Sequence, residues 1–149
     1  SEVLKNWEAI KRGEKDDDKK AVFDSLPAGL PPLLKAYRIH SKAARNNFTW
    51  ANDADVEKQL ASEWDEFQQA RQQGDAQAME AEFGDYIFTL VELGRRLGIK
   101  ANSALHLTNI KFLDRFAKME ALASQKGLEF SSLELPELDQ LWDQVKEDE

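Results

Sequence analysis

The sequence contains no cysteine. That excludes a disulfide framework and thiolate metal sites, so any metal must take oxygen or imidazole ligands. Histidine is almost absent too, with 2 residues, and oxygen ligands favour a hard cation such as magnesium. No apolar run approaches bilayer length and no signal peptide is visible, so the expectation is no membrane contact and a cytoplasmic location. There is no strand pattern, no repeat of solenoid length and no glycine-rich phosphate loop. Positive charge is outweighed: 20 Lys and Arg against 28 Asp and Glu give a formal net charge of −8. This argues against broad binding to a nucleic-acid backbone. It would also repel a small phosphate substrate, unless a divalent cation and a local Lys/Arg cluster offset it.

What remains is helical. The chain has 149 residues, with 42% hydrophobic and 32% charged, which suits one globular domain. Ser1 can cap a first helix carrying Val3, Leu4, Trp7 and Ile10. Gly13 to Lys20, with Asp16, Asp17 and Asp18, reads as a solvated linker. The Pro31-Pro32 pair opens a helix over 32–45 with Leu34, Tyr37, Ser41 and Ala44 on one side, and Asn46-Asn47 ends it. Asn52 or Asp53 caps a helix over 55–73 with the stripe Val56, Leu60, Trp64 and Phe67. Gly74 stops it, and Asp75 caps a helix of about 20 residues. Met79, Phe83, Tyr86, Ile87, Phe88, Leu90, Val91, Leu93 and Leu97 make its apolar surface wider than one buried face requires. This predicts a central helix buried on most sides, partly at a subunit contact, with Gly94 allowing close helix approach. A helix over 102–125 presents Leu105, Thr108, Phe112, Phe116, Met119 and Ala123. Gly127 ends it, and Pro136 opens a short helix with Leu138, Leu141, Trp142 and Val145.

Two acidic pairs carry the chemistry. Glu63 and Glu66 are three apart, as are Glu82 and Asp85, and residues at that spacing share a helix face. Glu14/Asp17 and Glu134/Glu137 have the same spacing, so spacing alone decides little. Position decides more. Glu63 lies between Leu60 and Phe67, and Glu82 between Met79 and Tyr86, at the edge of apolar stripes. Ionised carboxylates there are costly unless paired or metal-bound. The short loop between the helices predicts antiparallel neighbours, so that the four carboxylates can converge. The alternative is two solvated acidic faces. A di-iron bundle would need Glu-x-x-His motifs, and Tyr37 and Ser103 stand three before His40 and His106. Lys111 and Arg115 share a helix face, with Asn109 nearby and Lys146 one turn after Trp142. They suit polyphosphate oxygens or are plain surface charge. Trp50 and Trp142 can stack on a base or fill a core or interface.

Ser62-Glu63-Trp64-Asp65-Glu66, then Glu82-Phe83-Gly84-Asp85, then Asn109 to Phe116, resemble the MazG nucleoside triphosphate pyrophosphohydrolase pattern. That pattern is Glu-Glu-x-x-Glu, Glu-x-x-Asp and Asn-x-Lys-Phe-x-x-Arg-Phe. Leu33-Leu34, Phe48-Thr49-Trp50 and Trp142 to Lys146 extend the likeness over about 1–148. It is nearest to the C-terminal half of two-domain bacterial MazG. The resemblance implies an all-α antiparallel helix bundle of about six helices that forms a homodimer. It implies one domain over 1–149: N-terminal helix and linker 1–30, catalytic bundle 31–126, and C-terminal segment and short helix 127–149. It implies Glu63, Glu66, Glu82 and Asp85 as ligands of magnesium, or manganese, with Glu63 and Glu66 also catalytic. Lys111, Arg115, Trp142 and Lys146 are the implied substrate contacts, and Asn109 and Trp50 are further candidates from the residues themselves. The implied reaction is hydrolysis of nucleoside triphosphates to monophosphate and pyrophosphate, in nucleotide-pool housekeeping. The alternatives are a dUTP- or dCTP-selective pyrophosphatase and a non-catalytic helical interaction module. Ser62 departs from the first glutamate of the pattern, which bears on the outer shell that tunes a metal site.

Overall fold

The computed structural model describes residues 2–7 and 21–149, and the chain divides into two compact units, Ser1–Ala101 and Asn102–Glu149. The division falls inside the segment 31–126 that the sequence reading keeps together. Residues 2–7 are helical, with Val3, Leu4 and Trp7 exposed. Ser1, Ile10 and the acidic run Asp16 to Asp18 lie outside the described residues. Among the described residues the structure is helical with no strand.

Three helices form the first unit between residues 21 and 101. Helix α1 (Pro32–Arg45) starts on a proline, whose missing N–H is harmless in a first turn. It ends at Asn46, and Asn47 takes φ 64°, a left-handed conformation that asparagine tolerates. Helix α2 (Asp53–Gln73) is capped by Asn52, whose Oδ1 accepts from the Asp55 N–H at 2.9 Å. Gly74 closes it at φ 68°. Asp75 then accepts from the Ala78 N–H at 3.1 Å to open α3 (Ala76–Arg96). With so short a link α2 and α3 pack together as a hairpin. Its register is antiparallel, since Glu63 meets Thr89, Trp64 meets Tyr86 and Phe67 meets Phe83. Helix α1 packs on α3, with His40 against Phe88. The buried residues of this unit are as often polar as apolar: Val56, Leu60, Ala70 and Val91 beside His40, Glu63, Thr89 and Glu92.

The second unit has a separate small core. Helix α4 (Ala101–Gln125) turns back through Gly127 at φ 70° and a 3₁₀ turn at Phe130–Ser132 into α5 (Leu135–Glu147). Met119, Ala123, Leu141 and Val145 are buried between them, flanked by Leu122, Phe130, Leu133, Leu138 and Trp142.

Four expectations need correction. Within the first unit, helix α3 is not buried on most sides. Phe83, Ile87 and Leu90 are exposed, because α1 and α2 cover only part of its apolar surface. Trp64 is 45% exposed, and Glu63 takes the buried position of that turn. Gly94 faces Ile99 in the chain's own return rather than another helix. Leu105 and Phe112 of α4 are likewise exposed.

Candidate active site

Val56, Leu60, Glu63, Phe67 and Ala70 follow helical spacing, so α2 carries Glu63 within its apolar stripe. The stripe faces α3, and Glu63 is 7% exposed. Its Oε1 accepts from Thr89 Oγ1 at 2.9 Å and from Gln59 Nε2 at 3.1 Å. Its Oε2 is buried with no partner. A carboxylate oxygen withdrawn from water without a donor is costly.

Glu82 on α3 repeats the pattern, with a buried Oε2 that has no partner. Its carboxyl sits above the ordinary carboxylate range. The first cause is a hydrogen bond with Glu66, which requires a proton on one of the two acids. Burial and the charges of Glu66, Asp85 and Glu63 push the same way. With both acids ionised neither has a donor to offer the other. Glu66 and Asp85 are solvent-exposed.

The hairpin therefore brings Glu63, Glu66, Glu82 and Asp85 into one electrostatic neighbourhood. They are not a closed cage: among the described residues no three acidic or histidine side chains meet closely enough to hold an ion. The two orphaned oxygens on facing helices nevertheless fit a hard divalent cation, which would replace the missing donors and offset the repulsion.

A buried polar chain runs alongside. His40 Nε2 donates to the Phe88 carbonyl at 2.7 Å, the only direction possible to a carbonyl oxygen. Its Nδ1 lies 3.1 Å from Glu92 Oε2, and Glu92 Oε1 accepts from Arg95 Nε at 2.8 Å. Burial pulls the His40 pKa below 6.5, against the opposing pull of the Phe88 carbonyl and Glu92. His106 is exposed.

Trp50 is held by Arg96 of α3. Arg96 donates to the Trp50 carbonyl at 3.1 Å and to Thr49 Oγ1 at 3.2 Å, and pairs with Asp53 at 2.7 Å. The Trp50 ring helps line an apolar cleft of ≈ 560 Å³ with Phe23, Ile39, His40, Phe48 and Phe88.

In the second unit, Arg115 donates through Nε and Nη2 to the two carboxylate oxygens of Glu149, at 2.7 and 2.9 Å. It also lies 5.5 Å from the Trp142 ring centre. The pair keeps Arg115 charged and the Glu149 carboxyl below its ordinary range. Asn109, Lys111 and Lys146 are exposed.

Sequence reasoning missed Thr89, Gln59, Glu92, Arg96 and Glu149. One signal pointed to Thr89: it interrupts the apolar run Ile87-Phe88-Thr89-Leu90-Val91. The others have no mark separating them from surface residues. No helix among the described residues is long and apolar enough to cross a membrane.

No protein-family model matches the chain. It is 36% identical to an Escherichia coli (strain K12) protein named nucleoside triphosphate pyrophosphohydrolase, with 100% of this chain and 58% of that protein covered. It is 34% identical to a Thermotoga maritima protein named nucleoside triphosphate pyrophosphohydrolase/pyrophosphatase MazG, over 95% of this chain and 54% of that one. It is 37% identical to the Bacillus subtilis protein YabN, over 100% of this chain and 31% of that one. The chain thus spans little more than half the length of the first two. With likeness along its whole length and an all-α fold, the chain belongs to the MazG family.

Proposed function

We propose that the chain hydrolyses nucleoside triphosphates to monophosphate and pyrophosphate in a magnesium-dependent reaction. The observation that carries this reading is the pair of buried, unpartnered oxygens, Glu63 Oε2 and Glu82 Oε2, on facing helices. The names of the E. coli and T. maritima relatives support the reaction class.

Glu63, Glu66, Glu82 and Asp85 would hold magnesium, or manganese in its place. When bound, that ion supplies charge neutralisation and a more acidic water. Glu63 and Glu66 are the carboxylates proposed to orient the attacking water and accept its proton. Attack at the α-phosphorus breaks its bond to the bridging oxygen, which leaves with pyrophosphate. Lys111, Arg115 and Lys146 are proposed to neutralise that leaving group. For Arg115 this requires phosphate to replace the Glu149 carboxylate. Asn109 is proposed as a polar contact, and Trp142 and Trp50 as contacts to the base. The proposal extends to a cytoplasmic homodimer in nucleotide-pool housekeeping. The stripe Phe83, Ile87, Leu90 and Leu97, exposed along one side of α3, supports the dimer.

The test is product analysis with magnesium. Monophosphate and pyrophosphate in equal amounts are expected, and orthophosphate alone would reject the reaction type. Glu82→Gln is expected to lower activity by at least about tenfold, in line with the loss of a group in or next to a metal shell. Full activity in that variant would reject the ligand assignment. A panel of canonical, deoxy and modified triphosphates separates broad activity from dUTP or dCTP selectivity.

A further inference from the structure

Glu63 is the one acid of the quartet whose two oxygens stand in different surroundings that the structure defines in full. Oε1 has two donors, Thr89 Oγ1 and Gln59 Nε2, while Oε2 is buried and has none. Thr89 is itself 2% exposed, so its hydroxyl is withdrawn from bulk solvent.

The direction of that hydroxyl is informative. A threonine inside a helix ordinarily returns its hydrogen to the carbonyl four residues earlier. Thr108 does so here, donating to the Ala104 carbonyl at 3.2 Å. Thr89 instead donates across the hairpin to a residue 26 positions away. The backbone at that point is fastened from the other side, since His40 donates to the carbonyl of the preceding residue, Phe88. Glu92 Oε2 lies 3.1 Å from the ring's Nδ1, and Glu92 is itself paired with Arg95.

We infer that Thr89 is a positioning residue, which holds Glu63 Oε1 so that Oε2 is presented as a preset cation ligand. This rests on the proposed reading of the carboxylate quartet. The hydroxyl acts by fixing one rotamer of Glu63. Without it the carboxylate turns about its terminal torsion, which is soft, and binding a cation must then bear the cost of ordering it. Gln59 is one turn from Glu63 on the same helix, only half-buried and on a longer side chain, and is the lesser constraint.

The test uses the full chain and direct binding of manganese or magnesium, followed by calorimetry or by the manganese spin signal, without nucleotide. Thr89→Val keeps shape and removes the donor, and Thr89→Ser restores the donor. Thr89→Val is expected to weaken cation affinity by about tenfold, the low end for loss of a group that orients a ligand. Thr89→Ser is expected to stay within about threefold of the parent on the same scale. Thermal unfolding of the three proteins is measured in parallel. Should Thr89→Val keep parent affinity, or should Ser fail to restore it while all three fold alike, the inference is overturned. A lower melting temperature with unchanged affinity also overturns it, by assigning Thr89 a packing role. Absence of cation binding in the parent protein is a different result: it rejects the quartet as a metal site, and the role of Thr89 with it. If Thr89→Val is too unstable to measure, Thr89→Ala carries the same expectation of weakened binding.

Discussion

Single residues decide how the first unit responds to pH. His40 is packed between the Phe88 carbonyl, Glu92 and Phe88's ring, with Arg95 beyond Glu92. Burial makes the charged ring costlier in the fold than in the unfolded chain, so the folded pKa lies below 6.5. The unfolded chain therefore binds more protons between the folded pKa and 6.5. Stability from this residue is complete above 6.5 and declines as pH falls toward the folded value. His40→Gln retains an N–H for the Phe88 carbonyl but does not titrate. Its melting temperature is expected to fall less than the parent's between pH 7 and 5, and parallel curves would contradict the assignment. The residue scale is also where the sequence was least legible. His40, Thr89 and Glu92 are polar, and a pattern that sends polar residues outward offers no reason to bury them. Their burial depends on a partner three-dimensionally adjacent but 26 to 52 positions away. Glu63 was legible because its neighbours at three and four residues are apolar.

At the scale of elements, far more could be read in advance, because caps and turns are local. Asn52, Gly74 and Asp75 each satisfy a backbone group or adopt a torsion within a few residues of themselves. These three residues set both ends of α2 and the start of α3, and so the register that brings Glu63 opposite Thr89. Replacing Asn52 by alanine leaves the Asp55 N–H without its side-chain acceptor and is expected to cost about 1 kcal/mol. Gly74→Ala meets no neighbouring atom, so its expected cost of about 1 kcal/mol comes from the left-handed torsion alone. Chemical denaturation checks both. Losses much larger than this would mean that the hairpin register itself had shifted, and cation binding would then fall as well. The extent of burial along α3 was not legible in the same way. Its apolar surface spans more than one face, and sequence cannot say whether the chain itself or another copy covers it.

For the whole molecule, that uncovered surface is the feature to explain. Phe83, Ile87, Leu90 and Leu97 recur at steps of four, three and seven, which keeps them on one side of α3. Gly94 falls in the same row, and the atoms nearest its Cα side are those of Ile99. In the second unit Leu105, Leu107, Ile110, Phe112 and Leu113 are exposed around α4, and a helix apolar on several sides is normally a buried one. Exposed contiguous apolar surface of this kind marks an interaction site. A chain with net charge −8 also repels its own copies at long range, so association must come from apolar contact and should survive salt. The expected result is a sedimentation mass twice that of one chain, unchanged or increased in high salt. Leu90→Lys places a charge in the middle of the α3 row at an exposed position. It is expected to shift the protein to single chains while helical content by circular dichroism stays at the parent level. A variant that remained a pair would exclude the α3 row as the contact. A parent that sedimented as one chain at assay concentration would exclude the pair altogether.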